Sequence, residues 1–504
     1  MSSQVSGLLK EAIAPELQEA LVRPGLEREF PLVLPYMTEV NKAHVLMLCE
    51  TGIIARAVGR KLARAILEVE RAGAATFRLD PALEDPYFNY EARIIQATGA
   101  DIGGRMHIAR SRNDLKATQD RLRARDKGLR LLEGEIAVRG ALLDAAKRHE
   151  AVVMPGYTHL QPAQPLTFGY YLLGLGHALE RDHDRLAGCY GRINANPLGA
   201  GALAGTSFPI DRRRTAALLG FERVDPHAQD AVGSRDYLVE LLGHCALMAV
   251  TWGRLAQDFY VMTSYEFATL TFPDRVAGTS SMMPQKKNMV VLESLKARGA
   301  TVLGAYVGGI AGVKGTNFTL TVDGVRDGFR WAWMALDDTI DALTVLRIVV
   351  GEATPLADRM LALVRANYST ATDLADALVR EGVLSFREAH HVVGGAVRLA
   401  IDRKIPADRI DAALIAEAAG QVIGRTVAID QKIVAEAVDP ALAAERRAGT
   451  GGPAKADMAE MQQALGRRLD ADRRWLAAER ARIAAAKQAL DRDFADLAEV
   501  ALQG

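Results

Sequence analysis

A chain of 504 residues is too long for one simple core, and its length predicts two to four domains. Lys+Arg and Asp+Glu both number 62, so the net charge is zero, which argues against a general nucleic-acid binder. Aromatics make up only 6%, while Ala, Leu and Arg abound, a composition that favours helix. Cys49, Cys189 and Cys245 are odd in number, far apart and form no CxxC pair. They predict neither a disulfide scaffold nor a zinc site and fit a reducing cytoplasm. The N-terminus carries acids early and lacks a signal-type apolar core, and no apolar stretch reads as long and charge-free enough to span a bilayer. The expectation is a cytoplasmic protein with no membrane contact.

Pro15, Pro24, Pro31 and Pro35 are expected to break any long helix in the first 35 residues. Helical periodicity runs from about Glu39 to Ala72. Asp80-Pro81 and Asp85-Pro86 mark turns, a short helix covers Asn89 to Thr98, and Gly99 to Asp114 reads as loop. A long helix follows from Leu115 to about His149, then a Pro/Gly-punctuated loop from Ala151 to Pro165. Helix resumes from Leu166 to about Ala195. Asn196 to Asp211 is Gly-rich. Ala231 to Leu270, Val290 to Ala311 and Gly324 to Val350 are three more long helical stretches, and together these describe an extended all-α bundle. No alternation with short β-branched strands supports a dinucleotide-binding fold. After Gly351 the helices shorten, over Thr372 to Glu381, Arg387 to Ile401 and Asp411 to Ala419. Past the break at Gly449–Pro453, Lys455 to Val500 reads as one or two charged helices without sustained heptads. The division is 1–114 for an N-terminal helical domain, 115–351 for a central long-helix bundle and 352–504 for a C-terminal helical domain.

Three loops at the ends of predicted long helices carry the chemistry. The densest is Gly278-Thr279-Ser280-Ser281-Met282-Met283-Pro284-Gln285-Lys286-Lys287-Asn288. Its hydroxyls, cations and amides exceed what a solvated turn needs, and a core segment could not satisfy them. A loop closing over a multiply charged anion would use all of them. The second is Arg105-Met106-His107-Ile108-Ala109-Arg110-Ser111-Arg112-Asn113-Asp114, and the third is Met154-Pro155-Gly156-Tyr157-Thr158-His159-Leu160-Gln161-Pro162. Taken singly, an Arg/Asn cluster reads as a solvated loop, a lone His as structural, and a Ser-rich run as a helix cap.

Together they resemble, in order, the blocks of the argininosuccinate lyase family in the aspartase/fumarase superfamily. Asn196–Gly205, Asp230-Ala231-Val232 with Arg235-Asp236, Ala371–Asp376 and Phe386–His391 resemble further blocks of it, and the resemblance covers about residues 38–465. It implies an all-α, aspartase/fumarase-like homotetramer with a twenty-helix core and active sites shared by three chains. It also implies β-elimination of fumarate from an N-substituted aspartate through an aci-carboxylate, with no cofactor and no metal. By resemblance Ser280 is the base, with adjacent Ser281 left open. A serine base needs its alkoxide stabilised, which Lys286 and a nest of N–H groups would supply. His159 with Thr158 would handle the leaving amine or the proton path. Ser111, Arg112, Asn113, Thr158, Gln161, Arg235, Met283, Gln285, Lys286 and Asn288 would bind substrate, the Arg being suited to bidentate carboxylate recognition. Gly278 and Thr279 before the serine, and Met282-Met283 after it, suit a loop that closes. His390-His391 is no metal site, because neighbouring helical residues point about 100° apart.

The chain departs from the family where the amine is held. Met289-Val290 follows Asn288 where the family has Pro-Asp, and Tyr87 stands where His is usual. Arg28 to Pro35 (REFPLVLP) and Thr316 to Asp323 lack the family's polar groups, and an initial Trp-Gly-Gly-Arg-Phe block is absent. A guanidinium buried without partners is costly. The expected substrate is therefore another N-(1,2-dicarboxyethyl)amine, such as ethylenediamine-N,N'-disuccinate. Argininosuccinate itself and a catalytically silent structural relative are the alternatives. Retention of Ser280, His159, Lys286 and Asn288 together argues against the last.

Overall fold

The computed structural model describes residue 11 and residues 13–500. Most of the N-terminal segment whose composition bears on targeting lies outside the described residues. Helix α1 spans Arg23–Glu50 and passes through Pro24, Pro31 and Pro35, contrary to the expected breaks. Pro24 follows a π-helical turn, Gln18–Val22, at which the hydrogen-bond ladder is already shifted. Pro31 and Pro35 are four apart on the exposed face, so the carbonyls they free reach water, while Phe30, Val33, Leu34 and Met37 bury the opposite face. The expected helix from Glu39 to Ala72 is instead two. α1 stops at Thr51 and Gly52 (φ +70°), whose N–H groups close on Met47 and Cys49, and α2 restarts at Arg56–Ala72. α3 spans Pro86–Thr98, capped by Asp85.

The 37-residue α4, Arg112–Arg148, is the spine of the molecule. The following Pro-rich stretch is an antiparallel hairpin, β1 Val153–Thr158 against β2 Gln161–Thr167, where the sequence reads as loop. Pro155 and Pro165 face each other in its register. In a two-stranded ribbon every strand is an edge, and edges tolerate proline. α5 (Phe168–Ile193), α6 (Asp236–Met262), α7 (Val290–Lys314) and α8 (Ala332–Glu352) complete the bundle. α6 is long and apolar enough by composition to cross a membrane, contrary to the sequence reading. Its Leu241, Leu242, Cys245, Met248 and Trp252 are buried in the bundle core, which accounts for part of that hydropathy.

Shorter helices follow: α9 Ala357–Ala366, α10 Ala371–Arg380, α11 Phe386–Asp402, α12 Ala412–Ile423, α13 Gln431–Ala437 and α14 Pro440–Arg446. A separate core from Leu374 to Val438 unites α10 to α13. The last helix, α15, is one piece over Lys455–Ala498 and leaves that core. Its Met458, Leu465, Leu469 and Leu476 join the central cluster, and its Leu490, Phe494 and Leu497 join the N-terminal cluster. Residues the sequence places with the C-terminal domain thus complete the other two. A buried ionic network fixes the register of α15. Arg139 on α4 pairs with Glu135 and with Asp472 of α15 (both 2.6 Å), and His183 on α5 lies 2.7 Å from Glu135.

Candidate active site

The serine loop is closed at its base by a two-rung antiparallel ladder, Gly278 opposite Asn288 and Thr279 opposite Lys287. Lys287 is a brace: its ammonium donates to the Phe272 carbonyl (2.5 Å) and to Asp274 (2.9 Å). At the tip, Ser280 Oγ accepts the backbone N–H of Met283 (3.0 Å) and of Met282 (3.3 Å). The Lys286 N–H closes on Met283 O at 3.1 Å, tightening the same turn. Ser280 is half-buried, whereas Ser281, Met283, Gln285 and Lys286 are exposed and Asn288 is half-buried. Among the described residues the Lys286 ammonium has no ion-pair partner, so it is free for an anion. Two donors converging on one hydroxyl oxygen favour negative charge there, a property Ser281 does not share among the described residues.

Thr158, His159 and Gln161 occupy the tip of the β1–β2 hairpin. Thr158 pairs with Gln161 across a two-residue turn in which His159 (φ +55°) and Leu160 (φ +58°) are both left-handed. Such turns favour Asn-Gly. A His and a 75%-exposed Leu in that conformation store strain that neither burial nor packing explains.

Ser111, Arg112 and Asn113 form the N-terminus of α4. Ser111 caps it, accepting the Asn113 N–H at 3.2 Å, while Asp114 accepts the Ser111 N–H at 2.9 Å, a capping box. The other oxygen of Asp114 takes the N–H groups of Gly199 (2.9 Å) and Gly201 (3.0 Å), fastening the Gly-rich connector to the helix. Burial pushes this carboxyl up to about 6, against the three N–H bonds that favour its charge. Asn113 donates to the Ala202 carbonyl (3.0 Å). Arg112 Nη1 binds Asp85 (2.7 Å) and lies 3.5 Å from Glu84, with the guanidinium 4.2 Å over the Phe88 ring. Beneath it His107 Nδ1 lies 2.8 Å from the Tyr87 hydroxyl, and burial, aided by Arg110 and Arg112, pushes His107 down to about 4.

Arg235 is not at a surface. It is 2% exposed, donates to the Val232 and Ser234 carbonyls and pairs with Asp120 at 3.2 Å, tying the start of α6 to α4. Within one chain its place is a structural one, because the segment 230–236 is folded against α4. Sequence reasoning missed the grip of Asp85 on Arg112 and the brace at Lys287. The Ser-x-x-Asp spacing of the capping box was the one signal that pointed to Asp114. The nearest approach to a metal site among the described residues is Cys189, Glu240 and His244, whose ligand atoms lie within 4.8 Å of one another. The Glu240 carboxylate is already bound by the Arg192 guanidinium and by His244, so a cation would have to displace both.

Within one chain the Ser111–Asn113 loop does not meet the other two. At 1.5 Å per residue, α4 separates its head from its tail by roughly 55 Å. Ser111–Asn113 sit at the head with the Gly-rich connector, and the hairpin sits past the tail. The serine loop is also at the tail end, because Tyr171 at the start of α5 bonds Asp258 near the end of α6 (2.8 Å), and Phe272 packs on Phe259. No hydrogen bond among the described residues joins one of these loops to another.

A lyase family profile matches residues 36–304, and a profile described as the argininosuccinate lyase C-terminal region matches residues 368–447. Argininosuccinate lyase 1 of Shouchella clausii is 38% identical over 466 residues, covering 92% of this chain and 94% of that protein. The chain belongs to the argininosuccinate lyase family. This places the lyase in the aspartase/fumarase superfamily and makes it a carbon–nitrogen lyase. Argininosuccinate lyase of Methanocaldococcus jannaschii is 38% identical over 362 residues, covering 72% of the chain and 75% of that protein. The crystal structure of EDDS lyase in complex with formate superposes with a TM-score of 0.88 at 34% identity, covering 97% of both chains. A variant of EDDS lyase with bound fumarate superposes equally well, at 33% identity.

Proposed function

We propose that the lyase reversibly eliminates fumarate from an N-substituted aspartate whose amine is not arginine, ethylenediamine-N,N'-disuccinate being the named candidate. The observation that carries the elimination is Ser280 Oγ under two converging N–H donors, in one loop with Lys286, whose ammonium has no ion-pair partner among the described residues. As alkoxide, Ser280 takes the proton from the carbon next to one carboxylate, and the electron pair of that C–H bond passes into the aci-carboxylate. The C–N bond then breaks, the double bond of fumarate forms, and the amine leaves with a proton supplied along the His159 path. Arg112 and Lys286 pair with the two carboxylates and Asn113, Thr158, Gln285 and Asn288 donate hydrogen bonds to them, and the dianion is where charge develops and where stabilisation counts.

The separation of the loops supports a homotetramer in which three chains build each site. So do the exposed Leu247 and Val250 of α6 and Leu303, Val307 and Ile310 of α7, an apolar face that a monomer would leave in water. The identity with argininosuccinate lyases favours the second reading, argininosuccinate as substrate. Release of fumarate, followed by its ultraviolet absorbance from argininosuccinate and from ethylenediamine-N,N'-disuccinate side by side, separates the two. Release from the second alone supports the proposal, and ordinary turnover of argininosuccinate overturns it. Release from neither points to another amine or to a silent relative.

A further inference from the structure

We propose that Asp85 is a positioning residue: it holds one edge of the Arg112 guanidinium so that the opposite edge faces a substrate carboxylate. Asp85 divides its two oxygens between two tasks. Oδ1 accepts the Phe88 N–H at 3.0 Å and caps α3, and Oδ2 holds Arg112 Nη1 at 2.7 Å. Glu84 Oε2 backs the same Nη1 at 3.5 Å, and the guanidinium carbon lies 4.2 Å from the centre of the Phe88 ring. Three neighbours thus restrain one planar group. Among the described residues its Nε and Nη2 have no acceptor, although the side chain is only 41% exposed. Glu84, with φ +65°, is one of few non-glycine residues in the left-handed region. That turn swings both carboxylates onto Arg112, and backbone strain held at such a place marks a functional constraint. As a stability device the arrangement contributes little, because half-exposed ion pairs do. As a pre-organiser it removes the rotamer freedom that a long side chain otherwise loses on binding, and it leaves a two-donor edge matched to a carboxylate.

The inference rests on the reading of Arg112 as a carboxylate binder, and its test separates the two. Asp85→Asn keeps an acceptor for the α3 cap but drops the charge on Arg112; Asp85→Ser caps equally well but does not reach it. Both variants and Arg112→Lys are made in the full-length enzyme. Fumarate affinity is measured by calorimetry, and kcat and KM are measured with fumarate in the amine-addition direction. For both Asp85 variants the expected result is a KM and Kd for fumarate raised about tenfold, with kcat within threefold and the melting temperature unchanged. Values within twofold of wild type for both, while Arg112→Lys loses affinity, overturn the role of Asp85 alone. Unchanged fumarate affinity in Arg112→Lys as well overturns the carboxylate reading beneath it. A fall in kcat at constant KM assigns Asp85 to the chemical step and overturns positioning. If one Asp85 variant does not fold, the other carries the measurement.

Discussion

Replacing Ser280 by Ala tests the chemistry most directly. The hydroxyl oxygen accepts two backbone N–H groups, at 3.0 and 3.3 Å. Against a neutral hydroxyl in a half-buried loop these bonds contribute about 1 kcal/mol or less to folding, so the variant melts close to wild type. Against an alkoxide each becomes charge-assisted, worth about 1.5–3 kcal/mol, so the pair lowers the barrier to forming the base by about 3–6 kcal/mol. At about 1.4 kcal/mol per factor of ten, Ser280→Ala loses at least two to four orders of magnitude in kcat/KM. Ser281→Ala, lacking those donors, stays within tenfold. The assay is fumarate absorbance with whichever substrate the wild type turns over, alongside the Kd for fumarate, which is little changed because Ser280 acts on the proton. If Ser280→Ala keeps near-normal turnover while Ser281→Ala loses a hundredfold, the N–H pair does not mark the base and the reasoning fails.

His159→Asn keeps a residue that tolerates φ +55° and removes the imidazole; turnover falls about a hundredfold at an unchanged melting temperature. Gly201→Ala places a Cβ 2.5 Å from the Gly205 carbonyl at φ +62°, and urea unfolding reports a loss of about 2–4 kcal/mol. Arg139→Met removes the shared guanidinium from buried Glu135, which keeps only His183, and from Asp472, which keeps Arg468, and it costs about 3 kcal/mol, whereas Arg403→Ala at the exposed Glu417 pair leaves unfolding close to wild type in the same assay. His107, held down to about 4, stays neutral in the folded chain between pH 6.5 and 4 while the unfolded chain takes up its proton. The stability this residue contributes is therefore present above pH 6.5 and lost on acidification towards pH 4. His107→Asn is less stable than wild type at pH 7.5, and denaturation at stepped pH shows that deficit shrinking from pH 6.5 to 4. Asp114, held up to about 6, acts with the opposite sign and is common to both proteins, so it cancels in the comparison.

The sequence alone determined the helical spans and the three loops. Apolar periodicity and Gly and Pro punctuation are local properties, and α4 to α8 follow them to within a few residues, except that α6 starts at Asp236 and ends at Met262, and α8 starts at Ala332. It misjudged Pro31 and Pro35, because whether a proline breaks a helix depends on which face it occupies, and that is decided by what packs on the other side. It read the 153–167 hairpin as loop, since proline counts against a strand until the strand is known to be an edge. Arg235 and Arg112 have the same chemistry in the sequence. Only the fold buries one against Asp120 and leaves the other half-open between Asp85 and solvent. The destination of α15 was equally hidden: its charged surface and sparse Leu residues fit any neighbour, and the buried Arg139–Asp472 pair across 333 residues selects one. Loop identity is written in short-range pattern. Which side chains face water, and which loops lie some 55 Å apart, follows from the rise of a long helix and from contacts between residues hundreds of positions apart.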